Sequence, residues 1–376
     1  MSSILRHASA FARQLVLSLC LFGLLASPFG VRTYLDVQAA QRAAAAQQLS
    51  VIDRPAIVSA RTSATSVRPF DQPERAALDG VRGKGAWFMI FASDWSNPDA
   101  DRAWDMVDAA VKADLSHIYV RVADSRAHFY GAPALQDLLP IAHSRGVRVI
   151  GWIEPELADA PSDAVDAIAA ARYQSAGQHL DGLALTIEQN WDDSSIEWYL
   201  GGIRRGIDGA VGLGDHYLLV ASTFPVPSEH RSFPWAAMSR YCQVFAPMAY
   251  WRATGQRQFV GDGGVRAFLD QIFAEFRDPG INPYQRPVTI TAQAYDAALE
   301  YGIPGSPPGD EIVASMDETR AQGGLSWSFY RLANADNGVT GDEAAAITAY
   351  PFWQRPAPAT IAQKALIAIA DQPAAY

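Results

Sequence analysis

Eight short apolar runs, rich in β-branched and aromatic residues, recur along the chain at 87–93, 117–123, 147–153, 182–187, 217–222, 243–250, 288–294 and 325–330. Between most of them lies one stretch of helical period. A strand followed by a helix crosses over before the next strand begins, so neighbouring strands run parallel and helices cover the sheet. Eight such units, roughly 25–45 residues apart, match a (β/α)8 barrel, whose usual size is about 250 residues. That fold class is the expectation here. It directs attention to the C-terminal ends of the strands, where barrels of this kind carry their chemistry.

The 376 residues are 49% hydrophobic, enough for one large core, and carry a net charge of −10. The acidic balance, with no run of Lys and Arg, argues against nucleic acid or anionic lipid as the partner. His7, His117, His128, His143, His179, His216 and His230 are scattered, with no His-x-His or His-Glu-x-x-His, so no metal is expected. Neither a Gly-x-Ser-x-Gly elbow nor a Gly-rich phosphate loop is present, and no cofactor is expected; Gly261-Asp-Gly-Gly264 reads as a turn. Cys20 and Cys242 are the two cysteines, and Cys242, at the start of a strand, reads as a small buried apolar residue.

At the N-terminus a basic lead (Arg6, His7, Arg13) precedes an apolar run over 15–26, broken by Ser18, Cys20 and Gly23. Residues 1–31 therefore read as a signal peptide or a membrane anchor. Ala26 suits cleavage whereas Leu24 does not, and apolar character continues to Val31. Both alternatives place the protein outside the cytoplasm, secreted or anchored. Residues 32–83 lack sustained periodicity, contain Pro69 and Pro73, and read as a tether. The barrel is expected over 84–350, a tail over 351–376, and the molecule as a monomer. Loops at 225–234, 252–264 and 295–309 are long and rich in Gly and Pro, and would wall a groove above the barrel.

Alternation assigns faces. In the run Gly182-Leu-Ala-Leu-Thr-Ile-Glu188, Leu183, Leu185 and Ile187 suit the helix side, so Ala184 and Thr186 point inward and Glu188 follows at the rim. Ile150, Trp152 and Glu154 share one phase. Ile118, Val120 and Val122 face helices, which sends Tyr119 and Arg121 inside. Thr289, Thr291, Gln293 and Tyr295 form a polar inner stripe. The inward or rim set is thus Asp94, Arg121, Trp152, Glu154, Glu188, Tyr250, Gln293, Tyr295 and Trp327. Carboxylates, one cation and aromatic faces in one ring suit hydrolysis of a glycosidic bond. One carboxyl delivers a proton to the leaving oxygen, a second supports positive charge or activates water, and aromatic faces hold the apolar side of a sugar.

The chain resembles glycoside-hydrolase barrels of the chitinase-like (family 18) and lysozyme-like (family 25) groups. The likeness rests on Asp181 to Glu188, on Pro247-Met-Ala-Tyr-Trp251, and on Gly324-Leu-Ser-Trp-Ser-Phe329. Family 18 chitinases carry an acidic ladder, Asp-x-x-Asp-x-Asp-x-Glu, at the first place. Asp181 and Glu188 match its ends, while Ala184 and Thr186 replace its middle Asp residues. Met248 and Tyr250 match the chitinase Met-x-Tyr, and Trp327 matches a Trp that floors the sugar pocket. The resemblance implies Glu188 as proton donor, a strand-one Asp such as Asp94 as in lysozyme-like barrels, and sugar contacts by Tyr250 and Trp327. It does not carry over the acetamido-assisted route, because Thr186 supplies no negative charge. Gln293 stands where some barrel glycosidases end strand seven with a nucleophilic Glu.

The expected function is therefore hydrolysis of a poly- or oligosaccharide by Glu188 with Asp94 or Glu154 as second carboxylate. Trp327, Tyr250, Arg121, Gln293, Tyr295 and Trp152 are expected to bind substrate. The alternatives are a non-catalytic carbohydrate-binding barrel at the cell surface and a hydrolase acting on another polymer on the same scaffold.

Overall fold

The computed structural model describes residues 72–89, 99–210, 212–214, 216–300, 302–332, 339 and 341–352. The expected signal or anchor (1–31), most of the expected tether, Asp94 and most of the tail lie outside the described residues.

Eight strands form the barrel: β1 (Gly83–Phe88), β2 (His117–Asp124), β3 (Arg148–Glu154), β4 (Gly182–Thr186), β5 (Leu219–Thr223), β6 (Val244–Ala249), β7 (Ile290–Gln293) and β8 (Ser326–Tyr330). Each pairs in parallel with the next, and β1 pairs with both β2 and β8, which closes the ring. The helices are α1 (Asp99–Lys112), α2 (Ala132–Ser144), α3 (Ala160–Arg172), α4 (Asp193–Ile207), α5 (Trp235–Tyr241), α6 (Gly261–Phe276), α7 (Gly309–Ala321) and α8 (Gly341–Ala349). Each follows the strand of the same number. Their starts have local chemical causes. Asp159 accepts from the Ser162 amide at 3.3 Å at the head of α3, and Asp192 accepts from the Ser194 and Ser195 amides at 3.0 and 3.1 Å at the head of α4.

Strand alternation separates two apolar layers. Leu183, Leu185 and Ile187, with Ile118, Val120, Val122, Ile290 and Ala292, pack outward against the helices. Trp87, Tyr119, Ile150, Trp152, Ala184, Val220, Val244 and Ala246 fill the interior. Trp87 stacks on Tyr119 (centroids 4.0 Å, planes 6° apart), and Trp152 meets Trp87 edge-on at 5.3 Å. Lower in the barrel the His117 ring faces Gly85. A Cβ at Gly85 would lie 2.2 Å from His117 Nε2, so this level admits only glycine beside the imidazole. Burial pushes the His117 pKa down to about 3, so the ring is neutral.

Regular structure is present before residue 84. Residues expected in the tether form a helix, Gln72–Leu78, and a 3₁₀ turn, Asp79–Val81. Leu78 and Val81 are buried among the interior side chains beside Leu218. Two large apolar residues in a short segment are too few for a periodicity argument, yet they pack against the interior side chains at the lower end of the barrel.

At the same end Lys84 points outward, fully buried. Its ammonium donates to the carbonyls of Ile347, Tyr350 and Thr348 at 2.7, 3.0 and 3.3 Å, with Asp114 at 3.4 Å. These are the orphan carbonyls at the end of α8, and a cation there also suits the helix dipole. Lys84 thereby ties the last helix to the first strand. The substitution Lys84→Ala is expected to destabilise the protein by about 2–4 kcal/mol, through a cavity and unpaired carbonyls. An unchanged urea midpoint would remove this tie from the account.

Candidate functional site

A cavity of about 270 Å³ opens at the C-terminal ends of the strands. Its floor is aromatic. Trp87 donates its Nε1–H to Ser328 Oγ at 3.0 Å, and Trp152 donates to Thr186 Oγ1 at 3.0 Å. Both indoles are thus fixed by partners on other strands, and both line the cavity. Tyr250 and Tyr330 form one wall with ring centroids 5.9 Å apart, and Tyr330 meets Trp152 edge-on at 6.0 Å. Ser222, Met248 and Thr291 complete the sides.

Among the described residues, three carboxylates line the cavity. Glu154 ends β3, where Arg121 of β2 donates to it through Nη1 at 2.8 Å. Arg121 also lies 3.6 Å from Asp124 and over the Trp152 ring at 5.3 Å. Glu188 stands two residues beyond β4, exposed at the mouth. Partial burial against the cavity walls holds its carboxyl above the usual carboxylate range, and the charges of Glu154 and Glu300 push the same way while Arg121 opposes them. Glu300 comes from a 3₁₀ turn, Ala297–Glu300, in the loop after β7. The Tyr295 hydroxyl donates to Glu300 Oε2 at 2.7 Å. Burial foremost, and then the neighbouring tyrosines and Glu188, push the Tyr250 hydroxyl well above its ordinary value, so it is a neutral hydroxyl in the cavity wall.

Glu188, Glu154, Arg121, Trp152 and Tyr250 therefore converge as the alternation argument predicts. Three expected residues, Trp327, Gln293 and Tyr295, do not line the cavity. Trp327 faces the helices: its Nε1–H donates to Ser315 Oγ of α7 at 3.0 Å, and its ring lies in the outer layer beside Phe329. On β8 the inward phase belongs to Ser328 and Tyr330. Gln293 is buried, but its side chain is spent on backbone. Its Oε1 accepts from the amides of Arg252 and Ala253 at 2.9 and 3.2 Å, and its Nε2 donates to Tyr295 O at 2.9 Å. It holds the loop after β6 against β7 instead of lining the cavity. Tyr295 acts from outside the lining, through Glu300 and its edge-on contact with Tyr250. Asp94 lies outside the described residues. Asp181, the other end of the ladder likeness, sits at the opposite end of the barrel, where Oδ2 accepts from the Val149 amide at 2.8 Å and meets His143 Nε2 at 2.9 Å.

Sequence reasoning missed Trp87, Tyr330 and Glu300 as lining residues. Trp87 was legible as an apolar strand residue, but the strand begins four residues earlier than the run that marked it. Glu300 has no periodic signal, because it is delivered by a loop.

No protein-family model and no curated protein matches the sequence. Solved structures do. An endo-β-1,4-mannanase from Thermotoga petrophila aligns with a TM-score of 0.54 and 11% identity, over 73% of this chain and 78% of that one. An endo-1,4-β-mannanase from Rhizomucor miehei aligns at 0.51 and 7% identity, over 71% and 93%. A family 18 chitinase from Cycas revoluta aligns at 0.50 and 10% identity, over 70% and 98%. At these identities the likeness is one of fold. This chain has the (β/α)8 architecture on which those glycoside hydrolases are built.

A folded-state pKa above the unfolded one means that ionising Glu188 works against folding. The penalty is absent below the unfolded value of about 4.3 and grows as pH rises through the raised folded value. Glu188→Gln is therefore expected to be more stable than wild type at neutral pH, with the gap closing in acid. Urea midpoints measured across that range that run parallel for the two proteins would show that the carboxyl is not perturbed.

Proposed function

We propose that this barrel hydrolyses glycosidic bonds of a poly- or oligosaccharide by carboxylate acid–base catalysis. The observation that carries the reading is the pairing of two unlike carboxyls over an aromatic floor. Glu188 is biased toward its protonated form, and Glu154 is clamped by a guanidinium at 2.8 Å. Glycoside cleavage needs that asymmetry: one carboxyl to protonate the leaving oxygen, one anion to support the positive charge at the sugar carbon or to activate water. Glu188 is the donor in this scheme and Glu154 the anion. Arg121 holds Glu154 in place by a charge-assisted contact at 2.8 Å. The half-buried rings of Tyr250 and Tyr330 offer faces to the apolar side of a sugar ring, and the Thr and Ser hydroxyls offer partners to its edge.

The fold shared with mannanases and a chitinase supports this reading. So does the presence of further carboxylates within electrostatic reach of Glu188, which a purely binding barrel would not require. The N-terminal apolar run supports export, and we place the activity outside the cytoplasm, with the barrel secreted or anchored by that segment.

The test is a screen of soluble polysaccharides and peptidoglycan for release of reducing ends by wild type and Glu188→Gln. The variant is expected to lose about 10²–10⁴-fold in turnover while keeping its circular dichroism spectrum, the usual weight of a general acid. Equal turnover by the two proteins would remove Glu188 from the mechanism. Binding without hydrolysis by the wild type would favour a carbohydrate-binding barrel.

A further inference from the structure

The cavity lining is unbalanced in charge. Glu154, Glu188 and Glu300 face it, and Arg121 is the single cation among the described lining residues. That guanidinium is already engaged, by Glu154 at 2.8 Å and Asp124 at 3.6 Å. Glu188 and Glu300 are left with no cation of their own in the described lining. The rest of the described lining is neutral. Even when Glu188 holds a proton, Glu154 and Glu300 outnumber Arg121.

From this lining, and resting on the glycosidase reading above, we infer that the substrate is a polymer of amino sugars carrying free, protonated amines, in preference to a neutral or a uronic-acid polymer. Three physical arguments lead there. Charge in a concave, partly desolvated site acts more strongly than in open water, so an ammonium is drawn in and a carboxylate-bearing sugar is repelled. The half-buried Tyr250 and Tyr330 rings in the cavity wall add to the same preference, since an ammonium over an aromatic face is attracted to the ring quadrupole. The third argument concerns the reaction. An ammonium next to the anomeric carbon opposes the positive charge that develops there during cleavage. A carboxylate beside the amine offsets that repulsion. Glu300 is suited to the task, because the Tyr295 hydroxyl donates to its Oε2 at 2.7 Å and aims the carboxylate from a loop instead of from the strand ends that carry Glu154 and Glu188.

The experiment is calorimetric titration of the full chain with oligomers of glucosamine, of N-acetylglucosamine and of galacturonate, matched in length, at low and at high salt. Glucosamine oligomers are expected to bind about tenfold more tightly than either competitor at low salt, and the margin should shrink as salt screens the lining. Glu300→Gln should lower affinity for the glucosamine oligomer several-fold and leave the N-acetylglucosamine oligomer nearly unaffected. If that variant does not fold, the salt dependence of the wild type decides the matter. Equal or tighter binding of the N-acetylated or uronate oligomer overturns the inference, as does saturable binding of none of the three. Turnover plays no part in this readout. A protein that prefers the glucosamine oligomer but hydrolyses nothing would sink the glycosidase reading alone, and one that hydrolyses neutral polymers without this preference would sink only the present one.

Discussion

The whole arrangement depends on β1 hydrogen-bonding to β2 on one side and to β8 on the other. Gly85 sits opposite His117 in one pairing, and Gly83 opposite Ser326 in the other. A parallel sheet of this length would otherwise end in two unpaired edges, each a row of unsatisfied amides and carbonyls. Closure removes both edges and brings the ends of all eight strands around one opening. Glu154 and Glu188 come from neighbouring strands, but Tyr330 of β8 and Trp152 of β3 touch only because the ring is shut. The glycine at Gly85 is part of that closure, since the His117 ring occupies the space a side chain would need.

The interior then divides by height. Below, it is packed and aromatic, with a neutral imidazole and the Trp87–Tyr119 stack. Above, hydroxyls appear on the same inward phase, at Thr186, Ser222, Thr291 and Ser328, and two of them hold the indoles in place. Above those stand the carboxylates. This gradient from packed core to charged rim explains how one site holds groups of opposite tendency. Arg121 reaches Glu154 and pairs with it, while Glu188 meets cavity wall and like charge. The rim works against stability and the floor compensates for it, a division common to sites built on rigid scaffolds.

Much of this was legible in the sequence. The eight-fold strand–helix recurrence predicted the barrel, and the face assignments on β2, β3, β4 and β7 agree with the structure because bulky branched residues there keep strictly to one phase. On β8 the rule failed. Both phases of that strand are buried, so hydrophobicity does not distinguish them; Trp327 lies under α7, bonded to Ser315, while Ser328 takes the inner position bonded to Trp87. On β1 the Gly83-Lys84-Gly85 start carries no strand signal at all. Its pairing comes from the neighbours, and its lysine is accounted for only by the carbonyls of α8. Gln293 was read in the right phase for the wrong purpose, because a buried amide that satisfies two loop amides looks, in sequence, like one that awaits a substrate.

The sequence by itself determined the period of the chain, and with it the class of fold and the strand ends at which Glu154 and Glu188 would emerge, because side-chain alternation and crossover connections are local matters. Tertiary structure alone decided that Arg121 would clamp Glu154, that Trp87 and Tyr330 would replace Trp327 in the cavity, and that Glu300 would join the rim from a loop. Those outcomes depend on which residues far apart in the chain compete for one volume and one partner, and such competition exists only once the ring has closed.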